Sequence, residues 1–481
     1  MLLQRPEGKT LEFKRDLSSP KRLLKTLVAF ANTAGGRLIV GMDDNRQVTG
    51  VEQPLDEEER LCSLIADSIS PRLVPNVELM TVEGKTLLVV EVFVSGSRPH
   101  WLKAEGSENG VYVRLGSTNR QADRELIAEL RRSAEGGAFD EMPMPELSTD
   151  DLDLSAAQAL FAGVRTLDEQ TLRTLKLLTP NQGRLVPTKG AVLLFGKQRN
   201  LHFSDAWAQC GRFVGKDKAE IFDHIEIYDH LPQAVDSILL FLKKHAMRSA
   251  DFSAVRRKDV WSIPLGILRE AVINALVHAD YSQRGAPIRI AFFDDRIEIE
   301  NPGILLPGMT VEDMRQGVSK IRNHVLARVF RELNLIEQWG SGVRRMFKEA
   351  EDQGLPEPKI IEIGMRIRFT VPLLEQILVQ PATVEVEAQV EAQVDLHILA
   401  ACAAAPFSSA EIAATLGHKQ LSGNLRKALP RLRAAGLLEY TIPEKPNSRL
   451  QKYRLTEKGR SFIATKHTEK GAVKQEIEGG K

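Results

Sequence analysis

In the segment REAVINALVHADY, Glu270, Asn274 and His278 are spaced by four and therefore share one face of a helix. An amide oxygen suits magnesium, which keeps several waters and shares its remaining positions with substrate phosphates, and a carboxylate one turn away is placed to orient water. His278 without a second ligand makes no metal site. Further on, WGSGVRRM sets Gly340 and Gly342 ahead of an expected helix, where free backbone N–H groups meet phosphate oxygens. The same residues would also serve as a solvated helix face and a turn. A second chemistry lies between Gly417 and Arg460, where eleven Lys or Arg residues stand against three Glu. Such a local excess attracts a phosphate backbone through counterion release.

The elements that must position these groups follow from pattern. From Asp395 the chain reads as an apolar helix (DLHILAACAAA), a Ser-capped helix (SSAEIAATLG), a third helix opening at Ser422, and the basic hairpin EYTIPEKPNSRLQKYRLTEKG. Three helices and a hairpin make a winged helix-turn-helix. The third helix, second of the helix-turn-helix pair, would turn Ser422, Asn424, Arg426 and Lys427 toward base edges, with Arg449, Lys452 and Arg454 on the wing. Pro430 shortens that helix. The alternative is a winged helix used for protein contact.

Upstream, PLGILREAVINALVHADY (264–281) reads as a helix, IRIAFFDDRIEIEN (288–301) as a hairpin and AVLLFG (191–196) as a strand. PKRLLKTLVAFANTA (20–34) is an amphipathic helix stopped by Gly35-Gly36, and strands follow at RLIVGM, LLVVEVFV and VYVRLGS. Acidic, Gly- and Pro-containing segments without periodicity separate these regions. The expected organisation is an N-terminal domain at 1–135, a linker at 136–154, a central domain at 155–375, a linker at 376–394, a winged helix at 395–466 and a flexible tail at 467–481. The expected fold class is an α/β (α+β) multidomain chain.

The balance of 65 Lys and Arg with 64 Asp and Glu excludes a globally basic protein, so nucleic-acid binding has to be local. Three distant cysteines, Cys62, Cys210 and Cys402, form neither a disulfide framework nor a Cys-X-X-Cys metal site. No signal peptide or apolar run of membrane-spanning length occurs, and a cytoplasmic protein is expected. The chain has no GXXXXGK motif followed by Ser or Thr, which argues against a helicase motor.

The strings EGKTLEFKRDL, AFANTAGGRLIVGMDD and YVRLGSTNR, in that order over about residues 5 to 130, resemble the Schlafen AlbA-type domain. The resemblance implies nucleic-acid binding and, in some members, RNA cleavage by three acids. Glu7 and Glu12 match two of them, and Asp44 or its neighbour Asp43 stands where the third is expected. Three carboxylates can hold a divalent metal and activate water at a phosphate, with Lys14 touching that phosphate. In the plainer alternative Glu12 and Lys14 form surface pairs and Asp43-Asp44 is a hairpin turn. Arg114, Ser117, Asn119 and Arg120 offer phosphate contacts.

Residues 150 to 375 resemble the bacterial RecG-like regulators, whose second domain is similar to the GHKL ATPases; the central domain is therefore expected to be a GHKL-like α/β sandwich. In that resemblance Glu270 orients water and Asn274 holds magnesium. The family's DXGXG segment is replaced by IENPGI, which keeps Asn301 and Gly303 but has no Asp in register. TIPEKPNSRLQKYRLTEKG also resembles the C-terminal end of such proteins.

The expected function is nucleotide-responsive regulation of transcription or defence, with DNA or RNA as partner, ATP and magnesium as cofactors, no membrane and a homo-oligomeric state. The rival readings are a metal-dependent nuclease gated by the ATPase-like domain and a self-associating scaffold.

Overall fold

The computed structural model describes residues 2–246, 248–251, 258–336 and 342–373, and beyond them 398–403, 405–416, 428–430, 432–433, 435–442, 444, 448 and 450–460. The chain divides into two compact units, Met1–Leu378 and Val379–Lys481. Among the described residues no helix is long and apolar enough to cross a membrane.

In the first unit, strand Leu11–Lys14 pairs parallel with Gly36–Val40, and Lys85–Val92 and Asn76–Val82 extend the sheet antiparallel. A parallel pair needs a crossover. Helix Pro20–Asn32 supplies it and buries Leu23, Leu24, Leu27, Val28 and Ala31 in a core with Leu38, Val40, Leu88 and Val90. Hairpin strands Tyr112–Leu115 and Thr118–Gln121 and helix Arg124–Ala134 complete this domain. Val113, Leu126, Ile127 and Leu130 of these elements, with Val111 just ahead of the first strand, pack with Ile304 of the central domain, so the two domains share a core.

The central domain is a six-stranded sheet in the order 221–227, 208–213, 288–292, 296–302, 366–372, 359–363. Only Ala208–Phe213 and Ile288–Phe292 are parallel neighbours. Helix Leu265–His278 buries Ile267, Leu268, Ala271, Val272, Ile273, Ala275, Leu276 and Val277. The row Glu270, Asn274 and His278 is half-buried. A helix apolar on nearly every face is a core helix, and its few polar positions mark where the core opens.

Two expectations change. AVLLFG is not a strand, because Lys189–Phe195 is a helix capped by Thr188, whose hydroxyl accepts the Ala191 N–H at 3.1 Å. Nor is 136–154 a free linker. Asp140, fully buried, accepts the backbone N–H groups of His324, Val325 and Leu326 at 3.0, 2.6 and 3.0 Å, and so caps helix His324–Glu332 from 184 residues away. Removing this cap by Asp140→Ala should cost about 1–2 kcal/mol.

Burial pushes the Asp140 carboxyl from its ordinary 3.8 up to about 6, against the pull of the Leu326 and Val325 N–H groups. Its folded value thus lies above the unfolded one. The contribution is complete below about pH 4 and declines as pH rises through about 6. The stability difference between the natural protein and Asp140→Ala should accordingly be larger at pH 4 than at pH 7 in thermal unfolding; a difference that grows with pH would reject this account.

In the second unit, Ser408 caps helix Ser409–Thr415 in a reciprocal box with Glu411, as the sequence suggests. Strands Leu438–Tyr440 and Tyr453–Leu455 pair antiparallel over a small core of Ile398, Leu399, Ile412, Leu429 and Leu432. The opening of the third helix expected at Ser422, the 376–394 linker and the 467–481 tail lie outside the described residues, whereas 428–430 and 432–433 are described and helical.

Candidate functional site

A cavity of about 470 Å3 opens beside helix Leu265–His278 and is lined by Glu270, Asn274 and His278 on one side. Ile299, Ile367 and Phe369 of the central sheet, together with Asn301, supply another part of its lining. Gly342, at the start of helix Gly342–Asp352, also lines it. A Cβ at Gly342 would stand 1.8 Å from Glu270 Oε1, so a larger residue here would push the Glu270 carboxylate from its present position. Gly340 lies outside the described residues.

Asn274 Nδ2 donates to Glu270 Oε1 at 3.4 Å, which leaves the amide oxygen for a ligand. Glu270 Oε2 takes an ion pair from Arg345 at 3.0 Å. Burial pushes His278 down to about 4, so its ring is neutral at pH 7. Gly303 is not among the lining residues: at φ +102°, with the Asp280 and Arg322 side chains 3.0 and 3.2 Å from where a Cβ would sit, it is a tight turn behind the cavity. Asn301 lines the cavity and donates from Nδ2 to Pro302 O at 3.1 Å.

Sequence reasoning missed the cations. Lys320, Arg322, Arg331 and Arg345 line the cavity, where Glu270 is the one carboxylate among the described lining residues. The alternation in VSKIRNH was the local signal for Lys320 and Arg322, but nothing in the sequence tied it to a helix some fifty residues upstream. Arg322 is 7% exposed; it pairs with Glu129 of the N-terminal domain and donates to Ile304 O. Burial lowers its pKa to about 10, which leaves it protonated at neutral pH.

The rim segment beyond Gly303 is tethered to the N-terminal domain throughout. Leu305 N donates to Glu362 Oε1 at 2.8 Å, and the same carboxylate receives Lys9 Nζ at 2.7 Å. Gly308 N donates to Thr33 O at 2.7 Å, and Thr33 Oγ1 accepts the Arg114 N–H at 2.9 Å. Leu305 and Arg322 both line the cavity. Displacing this segment would therefore disturb contacts on both domains.

The N-terminal carboxylates do not converge. Among the described residues no group of three His, Cys, Asp or Glu side chains is placed to hold a metal. Glu12 is buried and paired with both Lys14 and Arg114. Glu7 accepts the Phe13 N–H at 2.9 Å. Asp43 accepts the N–H groups of Asn45 and Gln47 at 3.0 and 2.8 Å, the turn geometry of the plainer reading, and Asp44 is exposed.

Arg114 also departs from expectation as a phosphate contact. Its side chain is 1% exposed, and it donates to Gly8 O at 3.1 Å, Asn119 Oδ1 at 2.9 Å and Glu12. Asn119 in turn donates to Thr26 Oγ1 at 2.9 Å. Arg114 is an interior positioning group and Asn119 a half-buried one, whereas Ser117 and Arg120 are exposed.

In the second unit Lys452 pairs with Glu411 at 3.3 Å and Arg454 with Glu439 at 2.7 Å. Exposed pairs of this kind are worth about 0–1 kcal/mol and yield readily to phosphate. Ser422, Asn424, Arg426, Lys427 and Arg449 lie outside the described residues.

Comparison with known families gives three matches. The Schlafen, AlbA_2 family matches residues 7–123. The family described as ATP-dependent DNA helicase recG C-terminal matches 285–371, which takes in the hairpin and the Ile367–Phe369 floor and begins after the helix carrying Glu270 and Asn274. The family described as filamentation induced by cAMP protein Fic-like, C-terminal domain, matches 393–456. Among solved structures, a Corynebacterium diphtheriae protein is 22% identical over 95% of this chain and 94% of its own, with a TM-score of 0.41. The N-terminal domain of an ATP-dependent DNA helicase RecG-related protein from Nitrosomonas europaea is 32% identical over 25% of this chain and 90% of its own, with a TM-score of 0.21. No curated protein matches the chain.

Proposed function

We propose that this chain, which matches the Schlafen, AlbA_2 family over 7–123 and the recG C-terminal family over 285–371, is a nucleic-acid-binding regulator whose central cavity takes ATP with magnesium. The observation that carries the reading is the cavity's composition. An apolar floor suits a base, an amide oxygen at Asn274 suits a cation, and four cations against one carboxylate suit a polyphosphate.

Magnesium fits this donor set only in company with the nucleotide. It is commonly bound by one or two protein groups plus phosphates and water, and Asn274 is the neutral oxygen ligand on hand. The ion neutralises phosphate charge when bound. Glu270 positions water, and Lys320, Arg322 and Arg331 hold the phosphates.

Nucleotide response then runs through the rim. Leu305 and Arg322 line the cavity and are tied to Glu362–Lys9 and Glu129 respectively. A ligand that favours one arrangement of the rim shifts the N-terminal domain by its differential affinity for the two states. On the nucleic-acid side, Arg120 and Ser117 supply contacts at one end of the chain. A winged helix over 395–466, with Arg426, Lys427, Arg449, Lys452 and Arg454, supplies them at the other.

Deleting residues 395–481 should weaken duplex DNA binding and flatten its salt dependence, each lost phosphate contact lowering the slope by about 0.9. Fluorescence titrations of labelled duplex at several salt concentrations check this. Unchanged affinity and slope would remove the C-terminal unit from the proposal.

A further inference from the structure

A second cavity, of about 310 Å3, lies between helix Arg124–Ala134 of the N-terminal domain and the central domain, and shares Leu306, Lys320, Ile321 and Arg322 with the first. Four cations line it: Arg98, Arg132, Lys320 and Arg322. Carboxylates balance them poorly. Arg98 donates to the carbonyls of Ser95 and Ser133, and its buried Nε has no partner. Arg132 lies over the Phe139 ring at 5.3 Å. Lys320 Nζ donates to Pro307 O at 2.7 Å.

Arg322 alone of the four has an acid partner, Glu129, and its Nε is also buried without a hydrogen bond. The other lining acid, Asp280, is turned to its own loop, accepting from Ser282 and Gln283, and burial raises its pKa toward the neutral form. On the same wall Asn323 is 1% exposed. Its Nδ2 donates to the Val277 and Ala279 carbonyls, both at 2.8 Å, while Oδ1 is left without a partner.

Like charges gathered in a partly desolvated cleft repel one another and hold together at low cost only when a counter-anion completes them. Buried donors and an acceptor left open define the rest of that anion's chemistry. We propose that this junction cavity binds a small phosphorylated ligand. Its phosphoryl oxygens meet Arg98, Arg132, Lys320 and Arg322, and one of its hydroxyl groups donates to Asn323 Oδ1. The two cavities share Lys320 and Arg322, so this ligand and a nucleotide in the first cavity draw on the same two cations, whereas Arg98 and Arg132 line this cavity and not the first. Lodged between two domains, such a ligand would act as an effector of their coupling.

Calorimetric titration of the full chain with ribose 5-phosphate, without magnesium, tests this. One equivalent should bind, more tightly than inorganic phosphate because only the sugar phosphate carries alcohol groups that can reach Asn323 while its phosphoryl group meets the cations. Arg132→Glu and the milder Arg132→Gln should each weaken binding at least tenfold, with Arg132→Lys retaining most of it and Asn274→Ala all of it. Circular dichroism confirms that each variant is folded. Absence of binding at millimolar ligand, unchanged affinity in Arg132→Gln, or equal loss in Asn274→Ala would overturn the proposal, the last by moving the anion into the first cavity.

Discussion

Arg114→Ala is expected to destabilise the N-terminal domain by about 3–5 kcal/mol, the usual result of removing one partner from a buried ion pair. The arginine is 1% exposed, and its loss strands Glu12, which is 8% exposed, next to Lys14 alone. It also empties the hydrogen bonds to Gly8 O and Asn119 Oδ1 and removes the guanidinium 5.5 Å from the Phe30 ring. Arg120→Ala, at an exposed position on the adjacent strand, should leave stability within about 0.5 kcal/mol and weaken nucleic-acid binding instead. Chemical denaturation of the two variants separates these roles. Near-equal stabilities would mean that Arg114 is not the interior anchor described above.

The same pairing bears on the nuclease reading. Glu12→Gln should destabilise the domain because it leaves Arg114 buried without its counter-charge. Loss of any cleavage activity in that variant would then say nothing about metal binding unless its folding were measured alongside. A double-mutant cycle between Glu12 and Arg114 should return a coupling within the range of about 0.5–3 kcal/mol seen for residues in one network.

Asn274→Ala is expected to abolish magnesium-dependent ATP binding, whereas Glu270→Ala should preserve binding and slow any hydrolysis. Asn274 offers an uncharged oxygen next to the cations that would hold phosphates, and it is the one amide on its face of the helix. Glu270 is instead occupied by Arg345 at 3.0 Å and by Asn274 Nδ2. Its removal takes away the water-orienting carboxylate. Titration with ATP and magnesium, followed by phosphate release, distinguishes the ligand from the catalyst. Equal loss of binding in both variants would make the pair a structural unit rather than two roles.

What sequence revealed was what short-range pattern carries. The four-residue spacing of Glu270, Asn274 and His278 survives folding because a helix fixes it, and the hairpin at 288–301 declares itself by alternation around Asp294-Asp295. Asp43 behaves as a turn residue for the reason its type suggests. The apolar run at 191–196 misled because buried strands and buried helices read alike; the deciding signal was Thr188, a helix cap just ahead of it. Glu12 and Arg114 are 102 residues apart and Asp140 lies 184 from His324, so no local pattern foretells either partnership. Charged residues at such positions read as solvated until the fold buries them.

The central claim, that the cavity beside helix Leu265–His278 is a nucleotide site despite lacking the DXGXG aspartate, is tested most directly by isothermal titration of the unmodified chain with ATP in the presence of magnesium. The account predicts a saturable one-to-one heat and a matching rise in melting temperature, both lost in Asn274→Ala. No heat and no thermal shift at millimolar ATP would contradict it.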